Sequence, residues 1–354
     1  MTNPIRFKID NLVLNGGSLR GASFIGTLAA LEEFGYDKDI KRAIGSSAGA
    51  LFAGLFACKT SAKEMSEIIY NTDFTLFMDG AGGQLGQAWR LYNYYGLYNG
   101  DYFYNWYGDI LKRVAGDADL TFAGLYAKYN RELVVTGSNI STRQAHYFTK
   151  DSHPDMKVRD AVRISMSIPI FYVPVLHNGE YYVDGGYLDN FPMSIVDSNF
   201  FGNTVGFKLH IDSQAPYPTT GIADFIMNLL ETSVEQIEKL RYKPGDELRT
   251  VPIHTFNIGA TDFTITKQQI ALLIDSGYKA ARNYFDPEYK SKYEEEMLAL
   301  MKQFADLPAA TDVVAPGVAP VVAPAEKLAI DPALDCSQKQ DPLPDLSKPD
   351  NIEK

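Results

Sequence analysis

The most informative segment of the chain reads GSSAG at residues 45–49 and places Ser47 between two glycines. A short apolar run precedes it, and an apolar, helix-like stretch from Ala50 to Ala57 follows. A serine in such a strand-to-helix turn has the form of a nucleophile elbow, which leaves one hydroxyl exposed. Side chains at the flanking positions would clash in so tight a turn, and a helix N-terminus favours negative charge. Alone, the segment is equally compatible with a plain turn.

A glycine-rich turn lies upstream, where NGGSLRG at residues 15–21 follows the apolar run LVL at residues 12–14 and precedes a helical pattern from Ala22 to Phe34. A dinucleotide-binding pattern would need glycine at position 18, where Ser18 stands. A phosphate-binding P-loop would need a Gly-Lys-Ser or Gly-Lys-Thr sequence, which does not follow. Consecutive backbone N–H groups in such a turn can bind an anion, and we interpret the turn as an oxyanion hole.

An aspartate lies in the third informative segment, YYVDGGYLDNFP at residues 181–192. Asp184 ends a short aromatic strand and enters a pair of glycines. Because Asp-Gly is a strong hairpin-turn signal, this segment by itself favours a turn over a catalytic site. Its interpretation therefore depends on the other two segments.

Together and in this order, the three segments resemble the patatin-like phospholipase family, and the resemblance covers roughly residues 8–212. The stretch SMSIPIFYVP at residues 165–174 and the Asn-x-Pro that follows Asp184 are also similar to the family's pattern. The resemblance implies a Ser–Asp dyad with Ser47 as the nucleophile and Asp184 as the general base. It further implies an oxyanion hole formed by Gly16, Gly17, Ser18 and Arg20, although the family's third loop glycine is a serine here.

The function that the resemblance implies is that of a lipid acyl hydrolase of the phospholipase A type, which acts on phospholipids or related acyl esters and needs no cofactor. A serine hydroxyl becomes a nucleophile only when a base takes its proton. Asp184 would do this first and would then activate the water that hydrolyses the acyl-enzyme. Because a dyad lacks the third, orienting residue of a triad, the turns around Ser47 and Asp184 must position both side chains.

Two alternatives are weighed against this function. The first is a catalytically weak relative that uses the same pocket to bind a lipid or a signalling ligand, with Ser18 marking a damaged oxyanion loop. The second is an α/β-hydrolase esterase in which Ser47 and Asp184 form a triad with His210 or His254. Only one clear strand precedes Ser47, which disfavours the triad. The three intact, ordered motifs favour the enzyme over the binding protein.

Strands and helices alternate along the chain and predict an α/β architecture with a mostly parallel sheet. One of the predicted strands runs from Tyr172 to Leu176. The family resemblance adds a three-layer, patatin-like fold whose central sheet is flanked by helices. We predict a catalytic domain at residues 1–306, with a helical C-terminal part at 213–306, and a Pro/Ala-rich, disordered tail at 307–354.

An aromatic insert occupies residues 89–107, where ten of nineteen residues are aromatic. It lies between the proposed nucleophile and the aspartate, so it could form a lid or the wall of an acyl-chain site. Core packing by a bulky insert is a nearly equal alternative. Asparagines and glycines within it favour a loop-rich cover over a regular helix.

Composition limits the partners and the compartment. A net charge of −11 disfavours nucleic acid as a ligand and gives no general attraction to anionic membranes. Transient contact with a membrane surface would therefore rest on a local apolar patch. No segment reaches the length of a transmembrane helix, and the N-terminus lacks the apolar run of a signal peptide, so we expect a cytoplasmic protein; secretion without a signal would leave no trace. The scattered histidines and the two cysteines predict neither a metal site nor a disulfide framework.

Overall fold

The computed structural model describes residues 8–196, 203–211, 219, 221–256, 258–259, 263–286, 288–305 and 307. The predicted tail at 307–354 lies outside this part of the chain, apart from Leu307. The proposed division into a domain and a tail therefore stays a prediction. Within the described ranges, no helix combines the length and the apolar character needed to span a membrane.

A central sheet organises the described part of the chain. Its strands, together with those of a smaller sheet, are β1 (Asn11–Leu14), β2 (Arg42–Gly45), β3 (Gly96–Tyr98), β4 (Glu132–Asn139), β5 (Gln144–Phe148), β6 (Ile170–Tyr172), β7 (Val175–His177), β8 (Glu180–Asp184), β9 (Thr204–His210) and β10 (Thr250–His254). The large sheet has the order β10-β9-β1-β2-β4-β8-β7, with β5 paired to β4 outside this path. The pairs from β10 to β4 are parallel, whereas β5, β8 and β7 join antiparallel. The mostly parallel sheet is thus confirmed.

Helices connect and cover these strands. They are α1 (Ser23–Glu33), α2 (Ala48–Ala57), α3 (Ala62–Tyr70), α4 (Gly83–Tyr94), α5 (Asp101–Ala115), α6 (Phe122–Tyr129), α7 (Val158–Ser165), α8 (Gly186–Asp189), α9 (Ile222–Arg241), α10 (Lys267–Phe285) and α11 (Lys290–Ala305). All ten residues of α2 are buried. By contrast, none of the described side chains of α9 is buried.

Side chains that alternate along the strands divide the core between the two faces of the sheet. Leu12 and Leu14 belong to the larger cluster, which contains the buried side chains of α1 and α2. Val13 and Ile44 point to the other face and pack with Phe191 in a smaller cluster. Because apolar residues cover both faces, the sheet is the middle of three layers, as predicted.

Close contact between α1 and α10 ties the C-terminal part of the described chain to the sheet layer. A Cβ atom at Gly26 would overlap the carbonyl oxygen of Ile274, and one at Gly277 would overlap the carbonyl oxygen of Ser23. Thr27 adds a bond from its hydroxyl to the Gly277 carbonyl at 3.3 Å. The two helices can approach this closely only because each has a glycine at the crossing point.

The aromatic insert differs from its prediction as a loop-rich cover. It forms the C-terminal half of α4, all of β3 and the first half of α5. The glycines lie at the boundaries of these elements, since Gly100 precedes α5 with a φ of 78° and Gly96 opens β3. Phe103 and Tyr107 are buried on one face of α5, which explains why this part is helical despite its asparagines.

Candidate active site

Ser47 lies in a strained turn between β2 and α2. Its φ of 52° and ψ of −126° are unusual for a residue with a side chain. A Cβ atom at Gly45 would overlap the carbonyl oxygen of Gly49, and a Cβ atom at Gly49 would overlap that of Leu14. Both glycines are therefore required by close backbone approach, as the sequence pattern predicted.

Asp184 lies at the end of β8 and contacts the serine directly. The Ser47 hydroxyl donates a hydrogen bond to Asp184 Oδ2 at 2.6 Å. The other carboxylate oxygen, Oδ1, accepts the backbone N–H of Gly186 at 2.7 Å. The backbone N–H of Asp184 donates to the Ser167 carbonyl at 2.8 Å, and that of Ser47 donates to Ser165 Oγ, also at 2.8 Å. Bonds to the segment at 165–167 thus fix both members of the pair.

Burial sets the electrostatics of this pair. Removal from water raises the pKa of Asp184 from 3.8 to about 7, against the opposing effects of the Ser47 hydroxyl and the Gly186 N–H. No ion pair involving Asp184 is found in the described part of the chain. The carboxylate is therefore a base with a pKa near neutrality, which suits it to accept a proton from a hydroxyl.

The predicted oxyanion loop requires a correction at Gly16. Its N–H donates to the Asn190 carbonyl at 3.0 Å, so this donor is occupied. Within the described ranges, the N–H groups of Gly17 and Ser18 form no hydrogen bond, and both residues line the cavity that contains Ser47. Arg20 anchors the turn, because its Nε donates to the Gly17 carbonyl at 3.0 Å. The candidate donors are therefore reduced to two consecutive backbone groups.

Ser18 replaces a glycine of the family pattern at a position where glycine has a physical advantage. Its φ is 51°, in the left-handed region that is costly for a side chain. We expect Ser18→Gly to raise the free energy of unfolding by about 1 kcal/mol and to leave ester hydrolysis within about twofold, since the donor is a backbone N–H. Thermal denaturation and initial rates measure both effects.

The matched control for this change is Ser18→Ala, which removes the hydroxyl but keeps the Cβ atom. It should leave the melting temperature close to that of the wild type. A loss of more than about tenfold in rate for Ser18→Gly would mean that the serine hydroxyl, and not the backbone, contributes to the site.

All the predicted site residues line one cavity of about 580 Å³. Its walls include Gly16, Gly17, Ser18, Arg20, Ser47 and Asp184. Helix α9 lines part of this cavity with Met227, Leu230 and Val234, and adds the carboxylates of Glu231 and Glu235. This role of α9 was not predicted from the sequence, although the helical spacing of its three apolar residues was an available signal. A cleft of about 620 Å³ at the amino-terminal edge of the sheet contains none of the motif residues.

Histidines lie near the cavity but do not join the pair. His210 is on the cavity wall, and its ring centroid is 6.0 Å from that of His254 on the neighbouring strand. Among the described residues, no histidine forms a hydrogen bond with Ser47 or Asp184. The same part of the chain contains no group of three or more potential metal-ligating residues. The serine thus contacts the carboxylate directly, and no histidine lies between them among the described residues.

Comparisons with known proteins identify the family and support the fold. The family model described as Patatin, patatin-like phospholipase, matches residues 12–197, more than half of the chain. Uncharacterized protein R571 of Acanthamoeba polyphaga mimivirus is 26% identical over 286 residues, which cover 78% of this chain and 93% of the relative. Probable lipid hydrolase 463L of Invertebrate iridescent virus 6 is 27% identical over 205 residues, 54% of this chain and 67% of that protein. The crystal structure of VipD from Legionella pneumophila matches with a TM-score of 0.58 at 19% identity, over 79% of this chain and 67% of that one, which supports the fold.

Proposed function

The chain belongs to the patatin-like phospholipase family, and we therefore propose that it is a serine hydrolase that cleaves acyl esters of phospholipids or related lipids. As a member of this family it is a lipid hydrolase. The observation that carries the finer assignment is the hydrogen bond of 2.6 Å from the Ser47 hydroxyl to Asp184 inside the cavity under α9. The match to the probable lipid hydrolase of an iridescent virus supports the same substrate class.

The first half of the reaction forms an acyl-enzyme. Asp184 takes the proton of the Ser47 hydroxyl as the oxygen attacks the ester carbonyl. The negative charge on the tetrahedral intermediate is stabilised by the N–H groups of Gly17 and Ser18 and by the N-terminus of α2. When the ester bond breaks, Asp184 returns its proton to the leaving alcohol. In the second half, Asp184 takes a proton from water as the water oxygen attacks the acyl carbonyl. It returns this proton to the Ser47 oxygen when the acyl-enzyme bond breaks and the fatty acid leaves.

Fixed backbone contacts replace the third residue of a triad. The Gly186 N–H holds one oxygen of Asp184, which directs the other oxygen at Ser47. A Cβ atom at Gly185 would overlap both the side chain and the carbonyl of Thr136, so the turn after the aspartate has no room to shift. Rigid turns on both sides of the pair therefore support catalysis without an orienting histidine.

The proposal is tested by an activity screen of the purified protein beside Ser47→Ala. Phosphatidylcholine vesicles and a short-chain ester serve as substrates, and released fatty acid is measured. We expect the wild type to release fatty acid and lysophospholipid, because the scissile bond is a carboxylic ester, and Ser47→Ala to release neither. If the wild type bound the vesicles but cleaved no ester, the catalytically weak, lipid-binding alternative would replace this proposal.

The raised pKa of Asp184 predicts the pH dependence of the rate. Only the ionised carboxylate can accept the serine proton, so kcat/KM should rise with pH through an apparent pKa of about 7 and then level off. Initial rates of fatty acid release at constant ionic strength measure this profile. A flat profile through neutrality would contradict the role of Asp184 as the base.

The raised pKa of Asp184 also predicts how the stability of the folded protein depends on pH. Because the folded-state pKa lies above the ordinary 3.8, the folded protein holds this proton more tightly than the unfolded chain. The resulting stabilisation is present below pH 3.8 and is lost as pH rises to about 7. Asp184→Asn should therefore raise the melting temperature relative to the wild type at mildly alkaline pH, and less so at acidic pH.

A further inference from the structure

A second cavity, of about 430 Å³, adjoins the one that contains Ser47. We call it the apolar groove and define it by Tyr95, Ile140, Pro169, Ile170, Tyr181 and Val183. Pro169 lines both cavities. Val183 lines the groove from β8, on the face of the strand opposite to that of Asp184. The two cavities therefore share part of their wall at Pro169.

The chemistry of the two cavities differs. The residues that line the apolar groove include no charged side chain. The catalytic cavity, by contrast, is lined by charged groups such as Arg20, Glu231 and Lys239. A phosphate or ammonium group would lose its hydration in the groove without gaining a partner, whereas a hydrocarbon chain would gain from burial there.

The mouth of the groove exposes apolar surface that nothing in the described chain covers. The exposed fractions are 56% for Tyr95, 43% for Ile140 and 40% for Tyr181. The rings of Tyr95 and Tyr181 meet edge to face with centroids 6.2 Å apart. Exposed apolar surface that continues into a cavity is typical of a ligand site.

Rigid contacts hold the walls of the groove open. Strand β3 of the aromatic insert pairs in parallel with β6, which aligns Gly96 with Ile170. Ile170 has a φ of 70°, a strained conformation for a β-branched residue. The buried guanidinium of Arg163 donates to the carbonyl of Asn99 in the insert and to that of Val173 after β6. These contacts fix the positions of the groove walls.

We propose that the apolar groove binds the acyl chain of the ester whose carbonyl lies at Ser47, while the polar part of the lipid occupies the charged cavity under α9. This assignment rests on the proposed function, because it divides one substrate between two adjoining cavities. It makes the protein selective for esters of long-chain acids, with Ile140 and the two tyrosines at the groove mouth as the residues that set chain-length preference.

The proposal is tested by filling the groove with a larger side chain and measuring the preference for acyl-chain length. Ile140→Trp places a larger side chain at the mouth, and Leu298→Trp is the matched control on the exposed face of α11, outside both cavities. We expect Ile140→Trp to lower the ratio of kcat/KM for p-nitrophenyl decanoate to that for p-nitrophenyl butyrate by at least about tenfold. Leu298→Trp should keep the wild-type ratio. If Ile140→Trp fails to fold, Ile140→Asp replaces it with the same expectation.

A binding measurement separates this inference from the proposed function. In the Ser47→Ala background, dansyl-undecanoate should bind, and Ile140→Trp should raise its Kd at least about tenfold relative to Leu298→Trp. If no ester is cleaved but this binding difference appears, the hydrolase proposal fails and the groove assignment stands. If esters are cleaved but Ile140→Trp changes neither the ratio nor the Kd, the groove assignment is wrong.

Discussion

Ester hydrolysis should fall by about 10⁴-fold or more when Ser47 is replaced by alanine, and by a similar factor in Asp184→Asn. In the proposed mechanism the hydroxyl of Ser47 supplies the attacking oxygen. Its bond of 2.6 Å makes Asp184 the only group in hydrogen-bonding contact that could take its proton, within the described part of the chain. Because the two residues act as a unit, the double variant should be little slower than either single variant. Initial rates with a soluble short-chain ester give all three values.

The controls for this prediction are His210→Gln and His254→Gln, each of which should leave the rate within a few-fold. Both histidines lie at the carboxyl ends of neighbouring strands, but neither bonds to the pair. A drop of about 10⁴-fold in either control would indicate a Ser-His-Asp hydrolase and would refute the dyad.

The largest effect on stability is expected at Gly26. A Cβ atom there would overlap the Ile274 carbonyl and lie 2.6 Å from the backbone nitrogen of Tyr278, so Gly26→Ala forces α1 away from α10. Overpacking against rigid backbone should lower the free energy of unfolding by about 3 kcal/mol. Urea denaturation followed by circular dichroism measures the loss.

Gly124→Ala provides the comparison, because its Cβ atom would meet only side-chain atoms of Thr121, the N-cap of α6, and of Leu120, which precedes the cap. That variant should stay within about 1 kcal/mol of the wild type. A similarly small loss in Gly26→Ala would show that the α1–α10 contact contributes little to folding of the catalytic part.

Local turn chemistry explains why much of the site could be predicted. The requirements of the Ser47 turn are contained in five adjacent residues, and those of the Asp184 turn in three. The alternation of elements likewise predicts the mostly parallel sheet. The predicted strand from Tyr172 to Leu176 is instead divided into β6 and β7, because Pro174 lacks the N–H that a continuous ladder would need.

The features that could not be predicted from the sequence depend on contacts between distant parts of the chain. The N–H of Gly16 donates a hydrogen bond to the Asn190 carbonyl, and no local sequence pattern predicts this bond. The apolar groove exists because β3 and β6 pair across more than seventy residues. Helix α9 has an amphipathic pattern, but the pattern cannot tell which surface its apolar side covers. Each of these three features depends on tertiary contacts.

The contrast between α2 and α9 has a consequence for how the molecule fluctuates. Amide protons of α2, whose residues are all buried, should exchange with solvent only when the whole domain unfolds. Among the described residues, the contacts of α9 near its C-terminal end include the pair of Arg241 with Asp189 and the bond that Glu238 accepts from Asn190. Because none of the described side chains of α9 is buried, we expect local opening of α9 to cost less free energy than global unfolding. Such opening would widen the cavity that contains Ser47 without disturbing the turn that holds the serine.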